Sequence, residues 1–266
     1  MNNSAIALQS TDGARVSIHR HGAHVTSWLT PNDDERLFLS PRAEFAPGKA
    51  IRGGVPIIFP QFDREGSLPR HGFARTSEWD VIDVADGEAR LRLHITDEMR
   101  AVWPHEYVAE YHVRVGDDEL ELMLDVTNNG DTPITFTCAL HTYLRLNDVR
   151  EVRVDGLGGL RVADKIAGAT RVEDADVITI TGETDRIYFD ALGSVVVAEP
   201  GRSMWIKQTG FTDVVVWNPW TSAAKLADME PDGYLNMLCV ESASIGKPIA
   251  LKPREQWRGT QLLRAE

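Results

Sequence analysis

The chain is poor in the features that mark several large classes of protein. Only two cysteines, Cys138 and Cys239, occur in 266 residues, which excludes a disulfide-rich scaffold. Both sit among apolar neighbours, so the expectation is two buried thiols in a reducing compartment, with a single bridge between them as the alternative. No run of roughly 18 apolar residues appears anywhere, and the opening MNNSAIALQSTDG has neither a basic segment nor an apolar one. A soluble, cytoplasmic protein is the expectation. Positive charge is scarce as well: 28 Lys and Arg stand against 40 Asp and Glu, a net charge of −12. That balance argues against nucleic acid or an anionic membrane as a partner of the whole surface, while leaving room for a small anion in a locally basic pocket.

Familiar motifs are missing too. There is no G-x-S-x-G elbow, no P-loop, no dinucleotide fingerprint and no C-x-x-C, which removes the usual nucleotide and nucleophile mechanisms. Helical periodicity is nearly absent; the best candidates are a turn or two around SPRAEF and SAAKLADM, each opened by a residue able to cap. No repeat, low-complexity tract or Pro/Ser-rich linker divides the chain.

Strand-like alternation is abundant instead. In ARLRLHIT, Leu91, Leu93 and Ile95 face one way and Arg90, Arg92 and His94 the other. EYVAEYHVRV turns Tyr107, Ala109, Tyr111, Val113 and Val115 inward, and ELELMLDVTNNG does the same with Leu120, Leu122, Leu124 and Val126 before an Asn-Asn-Gly turn signal. Further strands are expected at ARVSIHR, AHVTSWLT, PITFTCAL, DVITI, SVVVAE, SMWIKQ, DVVVWN, YLNMLCV and EQWRGTQLLR. With 42% apolar residues and seven tryptophans, one large core is affordable, and the expected fold is a single all-β antiparallel sandwich over residues 1–266.

One stretch stands apart. IRGGVPIIFPQFDREGSLPRHGFAR gathers Arg52, Arg64, Arg70 and Arg75 around a Gly/Pro-rich loop in an otherwise acidic chain. Elsewhere, HRHGAH places His19 and His21 on one strand face with His24 just beyond. Two histidines without a positioned third ligand are weak evidence for a metal, and the expectation is none. Glu241 follows the apolar run Leu238-Cys239-Val240, and His141 follows the apolar strand TCAL. Read singly, Glu241 is a strand-end carboxylate in solvent and His141 a satisfied core histidine. A buried Glu241 costs several kcal/mol unless it is paired. A protonated His141 beside it would satisfy it and make an acid and a base in one site, each keeping the other ionised near neutral pH.

At these residues the sequence resembles the hexose-6-phosphate mutarotases (glucose-6-phosphate 1-epimerases), a branch of the aldose 1-epimerase superfamily. The resemblance runs through IRGGVPIIFPQF, LPRHGFARTSEW, LHTYLRL, ETDRIY, VVVWNPW, DMEPDGYLNMLCVE and KPREQWRGTQ. It implies a galactose-mutarotase-like β-sandwich, or supersandwich, with few short helices. It also implies interconversion of the α and β anomers of an aldohexose 6-phosphate, glucose 6-phosphate above all, with no metal or organic cofactor. Glu241 then matches the base, His141 the acid, and Asp185 in TDRIY an acid that contacts the sugar. Arg52 and Arg75 match the phosphate-holding arginines, and His71 the second site histidine. Gln61 and Arg70 join the substrate-binding set. Arg70 replaces a glutamine of other members, and either adds a third charge near the phosphate or points to solvent. Trp217 presents its ring to the sugar or belongs to the core. LHTYLRL differs from the Asn-His-x-Tyr-Phe-Asn-Leu pattern of the unphosphorylated branch. The resemblance suggests a monomer, and two rival functions stay open: a silent carbohydrate-binding sandwich and an epimerase of unphosphorylated aldohexose.

Overall fold

The computed structural model describes residues 5–266. The first four residues, part of the N-terminal stretch read for targeting signals, lie outside the described residues. Three sheets make up the fold. The largest runs in the order Val177–Thr179, Arg153–Asp155, Val195–Glu199, Arg202–Thr209, Gln256–Ala265, Glu119–Asn128, Tyr107–Gly116, Glu88–Leu93 and Trp79–Ala85. The second runs Ala169–Val172, Arg161–Asp164, Thr184–Tyr188, Asp213–Asn218, Met237–Leu251, Ile134–Leu140 and Ile57–Ile58, with Tyr143–Arg145 also paired to Met237–Leu251. Ile6–Gln9, Arg15–His19 and His24–Leu29 form the third. Each pairing between these strands is antiparallel.

The expected alternation decides which faces meet. Leu91, Tyr111, Leu122 and Leu124 of the nine-stranded sheet are fully buried, and they share one continuous core with Val214, Val216, Leu238 and Val240 of the eight-stranded sheet. Val16, Ile18 and Trp28 of the small sheet join the same core. Each large side chain buried there contributes roughly 1.5–3 kcal/mol. Successive residues of a strand point to opposite faces, so Cys239, Glu241 and Ala243 look away from that core. They sit beside smaller apolar clusters on the sheet's other face. The functional site forms on this second face.

A polar bridge crosses the core behind it. Gln261, fully buried in the Gln256–Ala265 strand, accepts a hydrogen bond from Thr142 Oγ1 at 2.5 Å and donates one to Ser242 Oγ at 3.0 Å. Both partners belong to the opposite sheet, each one residue past a suspected site residue.

The helices differ from expectation. SPRAEF forms turns and no helix, and SAAKLADM overlaps a short 3-10 helix at Trp220–Lys225. The α-helix lies instead at Asp97–Val102, where Thr96 caps the Met99 N–H. Six residues are too few to display a helical period. Cys138 and Cys239 are buried free thiols, so no bridge joins them.

Gly53 and Gly54 both have positive φ, and a Cβ on either would strike backbone: Phe38 O at 2.4 Å for Gly53 and Val25 O at 2.1 Å for Gly54. The pair lets the Arg52 segment lie against the small sheet. We expect Gly54→Ala to lower unfolding stability by roughly 2 kcal/mol or more, from left-handed backbone strain plus the clash, measured as a shift of the urea midpoint.

Candidate active site

Strand register brings the central pair together. Leu140 lies opposite Ser242, and after a short interruption Tyr143 lies opposite Cys239. The register is the same on both sides of the gap, so His141 falls opposite Glu241. On its other flank Glu241 pairs with Val215, and one step along, Cys239 pairs with Trp217, which pairs with Asp185. Residues directly opposite share a face, so Asp185, Trp217, Tyr143, His141 and Glu241 converge from four strands and one strand end. They line one cavity of about 720 Å³, counted to its open mouth, together with Arg52, Phe62, Asp63, Arg70, His71, Arg75 and Lys165.

His141 Nε2 lies 3.2 Å from Glu241 Oε1. Glu241 is 2% exposed. Burial pushes its pKa far up, and the nearby Asp185 adds to this. Burial also pushes His141 well down, helped by His71, Arg75 and Arg52. Burial thus disfavours the charged form of both partners and works against the expected mutual ionisation of the pair. Glu241 Oε2 and His141 Nδ1 are buried without a partner in the protein, a cost that a ligand supplying hydrogen bonds would relieve.

The cations around the cavity are mostly compensated. Arg52 donates to Tyr143 Oη at 2.9 Å and pairs with Asp228 at 3.1 Å. Asp63 holds Arg70 Nε at 2.8 Å through one oxygen and Lys165 Nζ at 3.0 Å through the other. Arg70 therefore belongs to the cavity wall, although its side chain is largely exposed. Arg75 has no carboxylate within ion-pair distance among the described residues; it donates only to the Arg70 carbonyl at 3.2 Å, and its buried Nε has no partner. Burial, with Arg52 and Arg70 adding to it, holds its pKa down to about 10. It remains charged at neutral pH, a cation awaiting an anion. Asp185 is pushed up by burial, against the pull of Lys165.

His71 sits at φ 66°, where His is more tolerated than most residues. The Asp63 N–H donates to its Nδ1 at 3.3 Å, and its own N–H donates to the Asp63 carbonyl at 2.9 Å. Nδ1 is thus an acceptor, which leaves the proton on Nε2. Burial, with Arg75 and Arg70 next, pushes its pKa down to about 3.

One sequence assignment comes out differently. Gln61 does not line the cavity: its amide donates to the Asp63 and Leu68 carbonyls at 3.1 Å each, and its oxygen accepts from the Leu68 N–H at 3.0 Å. It braces the loop with hydrogen bonds that a substrate would otherwise need. Trp217 is a wall residue, edge-on to His141 at 6.1 Å between ring centroids. The histidines of HRHGAH serve the fold. His24 bonds the Gly53 carbonyl at 2.7 Å, His21 the Lys49 carbonyl at 2.6 Å, and His19 lies against Phe45. Among the described residues, no group of three or more His, Cys, Asp or Glu is placed to hold a metal.

Sequence reasoning missed Tyr143, Asp63, Lys165 and Asp228. Tyr143 was within reach, two residues after His141 on an alternating strand. The other three come from loops or strand ends whose convergence no local pattern reveals.

A family model for aldose 1-epimerase matches residues 4–264. A protein of Cenchrus ciliaris bearing the name "Putative glucose-6-phosphate 1-epimerase" is 37% identical, covering 98% of this chain and 84% of its own length. An Escherichia coli K12 protein of the same name is 35% identical over 86% of this chain and 79% of its own. A Salmonella typhimurium crystal structure described as a mutarotase superposes with a TM-score of 0.88 at 29% identity, covering 98% of this chain and 90% of that one. A second, of an Escherichia coli protein described as an aldose 1-epimerase, gives 0.76 at 16% identity over 99% of each chain, and supports the fold alone.

The raised pKa of Glu241 has a stability consequence with a definite sign. Its folded value lies above the unfolded one, so its favourable contribution is present at acid pH and is lost as pH rises through the folded value. Glu241→Gln, which preserves volume and a hydrogen bond to His141, should unfold at a higher urea concentration than wild type at pH 7.5. The gap should close as pH falls toward 4; a lower midpoint at pH 7.5 would contradict it.

Proposed function

Since the chain belongs to the aldose 1-epimerase family, we propose that it interconverts the α and β anomers of an aldohexose 6-phosphate, with glucose 6-phosphate the first substrate to test. One observation carries the reading: a buried acid–base pair at 3.2 Å shares its cavity with a half-buried arginine that has no carboxylate within ion-pair distance among the described residues.

Anomerisation moves one proton from O1 to ring O5 while the C1–O5 bond opens, and reverses this after rotation about C1–C2. Glu241 as carboxylate accepts the O1 proton, and His141 as imidazolium donates to O5. The pair then stands as carboxylic acid and neutral imidazole, the form favoured by burial. Closure on the other aldehyde face runs the same steps backward. The pair holds one proton throughout, so the cavity's charge does not change during the reaction and no proton need be exchanged with solvent.

The phosphate lies at C6, remote from the reacting bond, so its binding energy can anchor the sugar without strain at C1. Arg75 is its main charge partner, and Arg52 adds directed hydrogen bonds from a guanidinium already neutralised by Asp228. Arg70 stands beside them, tied to Asp63. Asp185, His71 through its Nε2–H, and Trp217 face the sugar. We read residues 1–266 as one domain, a reading supported among the described residues by a main core that runs from Leu8 to Ala265.

NMR exchange on freshly dissolved α-glucose 6-phosphate should show wild type speeding anomer exchange, with Glu241→Gln and His141→Ala slower by roughly 10²-fold or more. Equal relaxation in all samples and in buffer would remove the proposal. Arg75→Ala should raise KM at least about tenfold with kcat within a few fold, since the lost contact is made equally in ground and transition states.

A further inference from the structure

We propose that Tyr143 is a positioning residue that links the phosphate arm of the site to its acid, an inference that rests on the function proposed above. Two contacts on one side chain carry it. Its hydroxyl oxygen accepts a hydrogen bond from Arg52 Nη1 at 2.9 Å. Its ring lies flat on the His141 imidazole, with centroids 4.9 Å apart and planes 12° from parallel. Tyr143 itself is 2% exposed, while its Arg52 partner is half-buried.

The geometry suits this task. Tyr143 follows His141 by two residues, so the two side chains leave the sheet on the same face, and pairing with Cys239 fixes the backbone. Trp217 stands edge-on to both rings, 6.1 Å from each centroid, and so borders the stacked pair along one edge. Arg52 is gripped at two edges of its guanidinium, by Tyr143 at Nη1 and by Asp228 at Nη2. The two grips differ in kind. Asp228 neutralises charge as it orients, and its own backbone is pinned by Ser40 Oγ on its carbonyl at 2.7 Å. The phenol is a neutral acceptor, since burial pushes its pKa far above the ordinary value despite Arg52. It aims the guanidinium without reducing the field that a phosphate feels. Tyr143 thus acts through its neighbours: the hydroxyl through Arg52, and the ring through His141.

The hydroxyl and the ring can be separated. Tyr143→Phe keeps the ring and loses the oxygen, while Tyr143→Leu loses both. In the glucose 6-phosphate exchange assay, Y143F should raise KM about tenfold with kcat within twofold of wild type. The inhibition constant of inorganic phosphate should rise in parallel. Introduced into Arg52→Ala, Y143F should add no further rise in KM, because the two changes remove one interaction. Y143L should lower kcat in addition. An unchanged KM in Y143F overturns the proposal. So does a tenfold rise that persists in the R52A background, which would make Tyr143 a direct substrate contact. Should Y143L fail to fold, the Y143F and R52A cycle decides the matter alone. A wild-type protein without exchange activity would defeat the parent reading instead, and the two failures are distinguishable on that basis.

Discussion

The structure depends on a register. An antiparallel ladder gives each residue one opposite neighbour and one face, and along Met237–Leu251 the ladder is continuous enough that His141 meets Glu241 although their sequence positions are far apart. A slip of one residue would turn Glu241 into the apolar core and Val240 into the cavity. The apolar side chains of the alternate positions forbid that slip. The hydrophobic core therefore does more than stabilise: by fixing which residues face it, it fixes which residues face away. The site is the set of polar residues left on the other side of that decision.

Within the cavity, the electrostatics run against the rest of the molecule. A chain of net charge −12 surrounds a pocket with four cationic side chains, Arg52, Arg70, Arg75 and Lys165. Aspartates hold three of them in place. Asp63 and Asp228 thus resolve a packing problem, because several uncompensated cations at one mouth would repel one another and carry a desolvation cost. Two carboxylates shared among these three cations leave positive charge in excess at the mouth, and Arg75 adds to it without an ion-pair partner among the described residues. At the floor, the contact of His141 with Glu241 offsets a different cost, that of a lone buried carboxylate. The cavity thus joins a cationic mouth to a buried acid–base pair, with Phe62, Val215, Trp217 and Leu226 as apolar wall between them.

Much of this was legible in the sequence, for a physical reason. Period-two alternation is a direct record of two-sided packing, and the inward sets at Tyr107–Val115 and Leu120–Val126 are buried as their pattern required. Glu241 and His141 stood out because ionisable groups after apolar runs conflict with local hydrophobicity, although Glu241 lies inside its strand, Met237–Leu251, and not at the expected solvent-facing end. Asp63, Lys165 and Asp228 did not, since charged residues in loops are ordinary and their meeting is set by tertiary structure. Gln61 misled for the same reason: its motif placed it beside the site, but an amide can satisfy its own loop. The Asp97–Val102 helix escaped because it rests on one cap and one buried residue, Met99.

The bridge from Gln261 to Thr142 and Ser242 places the far sheet in the service of the near one. The Gln256–Ala265 strand contributes no side chain to the cavity, yet it grips the backbone neighbours of both His141 and Glu241. In order of synthesis, every lining residue precedes it. Two neighbours of the acid–base pair are thus tied to a strand that is made after every residue lining the cavity.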